Sequence, residues 1–428
     1  MHRCARSTVN FYDPKTGKHH LVENVLTRKE DSSSDDTHHT FQRMRIRKEY
    51  ISQDDNFDKS DDDAIGYCVK RKLASSVYGS VYKGFVVKRR RNHTIMSTNQ
   101  DTLDVIREDD ELLDSKHSVS YDEDDCVWEP TNKSVIIKTA SWERLRRLRG
   151  KHLEDPLKEI QALQLLGDYH PHLIHSLVAL QDDKHLYSIT PYCKDGSLYE
   201  VVMDGITSSS RLNENSTRHW FRQILLALHH LQQIGVCHRD ISLENIVVHG
   251  KTCKLIDFGM ALRVPYEHAS NAGCVTDVSD GTTRLLMVPQ GQGGDFTYMS
   301  PEVLNKDPHF DGFAIDLWAV GVILYIMLVG HKPFKWPHSS DEQFLRLAVD
   351  GTMKESLAYW EIQLSDDAID LLQSMLWKDK KRRLTLAEVM EHPWVTSSDT
   401  STKENDIITR EKHSRKGSKR WSLRKTPS

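Results

Sequence analysis

Apolar and polar residues alternate from Tyr67 to Lys88, with β-branched enrichment and an interruption at Gly79, which predicts a β-hairpin. Strand character returns at Ser134-Val-Ile-Ile-Lys138. Between the two the pattern stops. Residues 97–125 hold eleven acids and two bases, and with their flanks, about 89–130, they read as a solvated acidic insert. Leu157, Ile160, Leu163 and Leu166 then recur at helical spacing within 156–167, and 177–180 and 186–190 read as two further strands. From Ser197 onward the pattern is chiefly helical. Arg218 to Ile234 carries the apolar residues of a long buried helix, with Gly235 as its terminator. Residues 246–248 and 254–256 form a short hairpin pattern, and the apolar run from Leu317 to Gly330 is short for a membrane span and reads as a core helix. Strands with one helix, followed by mostly helices, predict an α+β fold of two lobes: a small sheet-rich lobe and a larger helical one.

The ends are different. Residues 1–64, with acidic stretches at 30–36 and 54–63, lack apolar periodicity and are expected to have no fixed structure. Residues 395–428 read as a basic tail, with eight Lys or Arg against one Glu in 410–428. The formal net charge of −4 therefore hides a segregation of acid and base along the chain. Apolar residues at 38% and charged residues at 28% fit a soluble protein with a substantial core. The seven cysteines have no Cys-x-x-Cys pair, and no signal peptide is visible, so the expected setting is reducing and intracellular: cytoplasmic, with the nucleus open. The pairs His19/His20, His38/His39 and His229/His230 have no Cys/His spacing suited to a closed zinc site. No basic-aromatic motif indicates a nucleic-acid module.

Candidate chemistry concentrates in the second half. His238-Arg-Asp-Ile-Ser-Leu-Glu-Asn245 is followed, twelve residues after Asn245, by Asp257-Phe-Gly259. These segments resemble the catalytic loop and the metal-binding motif of the eukaryotic protein kinase family, of serine/threonine type. The resemblance covers residues 65–394 and implies a two-lobed phosphotransferase using ATP and Mg²⁺ on protein substrates. It implies that Asp240 faces the acceptor hydroxyl and that Asn245 and Asp257 hold magnesium. Phe258 is then expected beneath the small-lobe helix. Phosphoryl transfer needs such parts, because positioning and charge neutralisation do most of the work.

Further matches follow. Val135-Ile-Ile-Lys138 resembles the strand whose lysine grips the phosphates, with Glu159, 21 residues on, as its expected ion-pair partner and Glu154 as a competitor. Thr190-Pro-Tyr-Cys193 resembles the linker closing the adenine pocket. There Pro191 supplies only its carbonyl while the Cys193 amide can donate. Val247 is assigned to the nucleotide with them. Ser300-Pro-Glu302 resembles the end of the activation segment, with Glu302 paired to Arg383. Asp316 is expected to hold the catalytic-loop backbone.

The chain also departs from the family pattern. The phosphate loop reads Ala74-Ser-Ser76-Val-Tyr-Gly79-Ser-Val81, with only the third glycine kept. Ala74 and Ser76 are the smallest replacements, so Ala74, Ser76, Gly79 and Val81 stay assigned to nucleotide binding with poorer phosphate contact. Ile136 narrows the adenine pocket. Ser242 stands in place of a lysine that touches the γ-phosphate, and Asp295 in place of a threonine near the catalytic Asp. An active kinase is favoured, with a nucleotide-binding or allosteric pseudokinase scaffold as the alternative. Arg239 is expected to bind a phosphate placed within 270–283. Glu244 suggests basic residues before the acceptor, as in Lys419-Arg-Trp-Ser422, although Ser197 replaces another acid used for that purpose. The order of lobes and tail loosely resembles the calcium/calmodulin-kinase-like branch.

Overall fold

The computed structural model describes residues 8–13, 18–24, 65–91, 126–167, 170–264, 287 and 295–397. The small lobe is a ring of strands. β3 (Ile65–Ser75) and β4 (Gly79–Arg91) form the expected hairpin, β5 (Cys126–Ser141) pairs along β4, and β7 (His185–Pro191) lies between β5 and β6 (Val178–Gln181). All of these pairings are antiparallel. Between β3 and β4 the turn is closed by Ser76 N–H donating to Gly79 O at 3.0 Å and by Gly79 N–H donating to Ser76 Oγ at 3.0 Å.

Within 1–64, the described residues 8–13 and 18–24 differ from expectation. β1 (Thr8–Asp13) and β2 (Lys18–Asn24) form a hairpin; β1 runs parallel to β3 and β2 antiparallel to β6, so the sheet closes on itself. Without β1 and β2 the five-strand sheet would leave unpaired N–H and C=O groups on its two edges, β3 and β6, and a short hairpin can complete both ladders without a strong apolar pattern of its own. The acidic insert is also narrower than 89–130. Lys88 to Arg91 pair with Glu129 to Cys126, which leaves 92–125 outside the described residues. The basic tail beyond Ser397 and the 270–283 stretch also lie outside them.

α1 (Trp142–Leu148), unforeseen in the periodicity, follows β5 directly. α2 (Pro156–Leu166) starts where expected. The Asp155 carboxylate accepts the Leu157 N–H at 2.9 Å and Pro156 opens the first turn. Tyr67, Val86, Val135, Ile137, Leu180, Tyr187 and Ile189 fill the small-lobe core.

The larger lobe comprises α3 (Leu198–Ser209), α4 (Glu214–Gln233), β8 (Val236–Cys237), β9 (Ile246–His249), β10 (Thr252–Leu255), β11 (Leu262–Arg263), α5 (Pro301–Leu304), α6 (Gly312–Val329), α7 (Glu342–Phe344), α8 (Met353–Tyr359), α9 (Asp366–Met375), α10 (Leu386–Glu391) and α11 (Pro393–Thr396). α4 ends before Gly235, whose φ of +73° suits a residue without a Cβ. α6 is long and apolar enough to cross a membrane, yet 94% of it is buried inside the lobe, so its all-round apolarity is that of a central core helix. One continuous core joins α4 and α6 to Ala162, Leu163 and Leu166 of α2. α2 therefore packs on both lobes, and the cleft between them opens at its first turns.

Candidate active site

β5 carries Lys138 and α2 carries Glu159. The Lys138 ammonium donates to Glu159 Oε1 at 2.6 Å and lies 3.2 Å from Asp257 Oδ2. Burial alone lowers the ammonium's pKa; the carboxylates of Glu159 and Asp257 outweigh it and the net direction is upward. Burial pushes the Glu159 carboxyl up, and the adjacent ammonium opposes that push. Asp257, also desolvated, is held below the usual carboxylate range by Lys138. Of the two candidate partners for Lys138, the structure selects Glu159. Glu154 lines the same cleft, together with Ser76, Val81, Thr139, Ala140 and Leu186.

The catalytic-loop residues are tied from two sides to Ile256, just before Asp257. Ile256 N–H donates to Asn245 O at 2.9 Å, and Ile256 O accepts from His238 Nε2 at 3.0 Å. His238 Nδ1 accepts the Asp240 N–H at 3.2 Å, so the ring is a neutral Nε2–H tautomer; burial drives its pKa down to about 4. Asn245 Nδ2 donates to Asp240 O at 2.8 Å and to Asp240 Oδ2 at 3.0 Å. Below, Asp316 accepts the backbone N–H groups of His238 at 2.6 Å and Arg239 at 2.7 Å, as expected. Arg239 and Asp257 both sit at φ +67°, an uncommon region for residues with a Cβ. Phe258 is fully buried edge-on to His238, 4.7 Å between ring centroids, in the core that includes α2.

Burial raises the Asp240 carboxyl, Asp257 adds to this, and Glu244 and Asp295 contribute further. Asp240 lines a second hollow with Arg239, Asp295, Tyr298 and Met299. Ser242 is buried and its Oγ accepts the Asn245 N–H at 3.2 Å, so it braces the loop.

The other assigned residues lie on neighbouring elements. Thr190 and Pro191 pair with Ile136 and Val135 at the end of β7; Cys193 follows, half-buried. Val247 lies on β9, bridged to Ser197. Ala74, Gly79, Thr190, Pro191, Cys193 and Val247 are not among the side chains lining the cleft around Lys138. Gly79 has a backbone reason of its own: a Cβ there would lie 1.9 Å from Thr139 O. Tyr78, missed in the sequence, is buried under β5 among Ala140, Leu145, Ile160 and Leu186, and its hydroxyl donates to Glu154 O at 2.8 Å. An aromatic residue inside a turn of small residues was the available signal.

Asp257 as an ionised carboxylate and Asn245, whose amide nitrogen is spent on Asp240 and whose oxygen is left to accept, supply the hard oxygen donors that magnesium prefers alongside substrate phosphates.

A strand-ring lobe and a helical lobe, with Lys138 held between the carboxylates of Glu159 and Asp257 in the cleft, define the two-lobed kinase fold. The family profile described as protein kinase domain matches residues 124–395, and the chain belongs to the eukaryotic protein kinase family. The match begins after β3 and β4, which the structure nevertheless builds into the same sheet. Among similar proteins, the calcium/calmodulin-dependent protein kinase type II alpha chain of Drosophila melanogaster is 28% identical over 63% of this chain and 46% of its own length. Serine/threonine-protein kinase kin-29 of Caenorhabditis elegans is 30% identical over 61% of this chain and 28% of its own. Calcium-dependent protein kinase 29 of Arabidopsis thaliana is 29% identical over 65% and 47%. The chain spans less than half the length of these relatives.

Proposed function

We propose that this chain is an active kinase transferring the γ-phosphate of ATP to serine or threonine hydroxyls of proteins. The observation that carries the reading is the convergence of Lys138, Glu159 and Asp257, with Asp257 tied through Ile256 to Asn245 and the catalytic loop. Lys138, kept charged by its two carboxylates, grips the phosphates. Asn245 and Asp257 hold magnesium, which when bound neutralises charge on the phosphate oxygens. Asp240, oriented by Asn245, receives the acceptor proton. In this reading Ser76 and Val81, which line the lysine cleft, face the phosphates, and the Thr190 to Cys193 linker on the neighbouring strand end is assigned to the adenine. The serine/threonine preference is supported by the names of the relatives.

Ser242 offers no cation, and the loop at 74–79 offers fewer open backbone amides, so turnover is expected to be slow. These two features favour the rival reading, a nucleotide-binding scaffold without turnover. Incorporation of labelled phosphate from ATP into a peptide library, with and without magnesium, separates the two. Metal-dependent incorporation that Asp257→Asn abolishes supports catalysis; no incorporation by the parent chain, or incorporation unchanged in the variant, refutes it.

Arg239 Nε and Nη1 are buried with no hydrogen-bond partner among the described residues. This supports phosphate capture from the 270–283 stretch as the activating step. Mass spectrometry of active protein with no occupancy there would contradict it.

A further inference from the structure

The hollow beside Asp240 carries a charge arrangement the proposed reaction leaves unused. Asp295 and Asp240 line it together. Asp295 opens a turn in which its Oδ1 accepts the Thr297 N–H at 2.8 Å and its carbonyl accepts the Tyr298 N–H at 3.1 Å. Lys332 reaches this turn from the loop after α6. Its ammonium donates to Thr297 Oγ1 at 2.6 Å and lies 3.8 Å from Asp295 Oδ2. Thr297 is buried, while the Lys332 and Asp295 side chains are 42% and 52% exposed. Phe296, between them in the turn, is 50% exposed. On the opposite side Glu244 accepts weakly from the Tyr298 hydroxyl, at 3.4 Å.

Lys332 is mounted on a fixed base. Gly330 ends α6 at φ +89°, where a Cβ would lie 2.1 Å from Ser210 O. His331 is wedged between the rings of Tyr325 and Trp360, at 5.8 and 5.7 Å. Phe334 is buried against Trp318 and Phe344. A pair so exposed adds little stability. What it changes is the charge a peptide meets beside the acceptor hydroxyl. Without Lys332 that surface would present an unopposed carboxylate at 295; without Asp295, an unopposed ammonium.

We propose that Lys332 is a specificity-determining residue, neutralising Asp295 so that the surface beside Asp240 accepts uncharged side chains next to the acceptor. The inference rests on the kinase reading for the position of the peptide, and on the turn itself for its chemistry. The test uses serine peptides in which each of the three positions on either side of the acceptor is varied among Leu, Glu and Arg. The parent chain should favour Leu at the responding position. Lys332→Met should raise the Arg-to-Leu ratio in kcat/KM about three- to fivefold, the scale of an exposed ion pair. Asp295→Asn should raise the Glu-to-Leu ratio by a similar factor. The double variant should return to the parent preference, and Thr297→Val, which removes the hydrogen bond but keeps both charges, should not shift it. Shifts in the same direction, no shift in either single variant, or an equal shift in Thr297→Val overturns the proposal. If the parent chain phosphorylates no peptide, the catalytic reading fails by itself. The same reciprocal preferences are then read from fluorescence anisotropy of labelled peptides, and their absence overturns the inference.

Discussion

Arg383 clamps Glu302 with two parallel bonds, Nη1 to Oε1 at 2.8 Å and Nη2 to Oε2 at 2.9 Å, between side chains only 6% and 1% exposed. The guanidinium also donates through Nε to Trp377 O at 2.6 Å and stacks over Trp318. This fastens the end of the activation segment to the far side of the helical lobe. A desolvated pair is poor evidence of net stabilisation, but breaking one strands the other charge.

Arg383→Met should therefore cost about 3–5 kcal/mol of unfolding free energy, measured by urea denaturation. The pair also sets an acid limit. Burial opposes ionisation of Glu302, yet Arg383 holds its pKa below the ordinary 4.5. The folded state thus binds fewer protons than the unfolded chain, so this stabilisation is complete above pH 4.5 and declines as pH falls through the lowered folded value. Parent protein should lose stability more steeply below pH 4.5 than Glu302→Gln; equal slopes would remove the pair from acid sensitivity.

Asp316→Asn sets two effects against each other. Burial raises the Asp316 carboxyl to about 7, so neutralising it relieves a desolvation cost. The amide can accept only one of the His238 and Arg239 N–H groups and turns its own donors toward the other, a loss of about 1–3 kcal/mol. Thermal unfolding should change little while kcat falls at least tenfold, because the catalytic loop loses its seat. An unfolding loss as large as that in Arg383→Met, with kcat intact, would contradict this.

Gly79→Ala should destabilise the small lobe by about 1–3 kcal/mol, since its Cβ would meet the Thr139 backbone oxygen at 1.9 Å. A loss confined to ATP affinity, with unchanged unfolding, would instead give Gly79 a phosphate-contact role alone.

Tyr78→Phe keeps the buried ring and removes the bond to Glu154 O, a loss of about 1 kcal/mol. Glu154 adjoins Asp155, whose N–H donates to Gly259 O at 2.9 Å, so Tyr78 joins the phosphate loop to the Asp257 motif. Amide exchange at 76–79 and at 257–259 should quicken together in this variant; quickening at 76–79 alone would deny the link.

Much of this was legible in the chain. Helical spacing from Leu157 to Leu166 located α2, and the resemblance of Val135 to Lys138 to the family's lysine strand pointed to Glu159 as the partner of Lys138. The structure pairs Lys138 with that preferred partner over Glu154, because Asp155 caps the helix and leaves Glu154 just outside it. α1 was missed because seven residues with four charges give too few apolar positions to fix a period. β1 and β2 were missed because their pairing partners, β3 and β6, are distant in sequence. Lys332 carried no signal at all: its partners lie in a turn 35 residues earlier.

Calorimetric titration with ATP, with and without magnesium, bears most directly on the central proposal that Lys138, Asn245 and Asp257 share one metal-bound triphosphate. Binding by the parent chain should depend on magnesium. Lys138→Met should weaken it in either condition, and the double variant Asn245→Ala/Asp257→Asn should remove the metal dependence. ATP binding that ignores magnesium in the parent chain, or that survives all three substitutions unchanged, would contradict it.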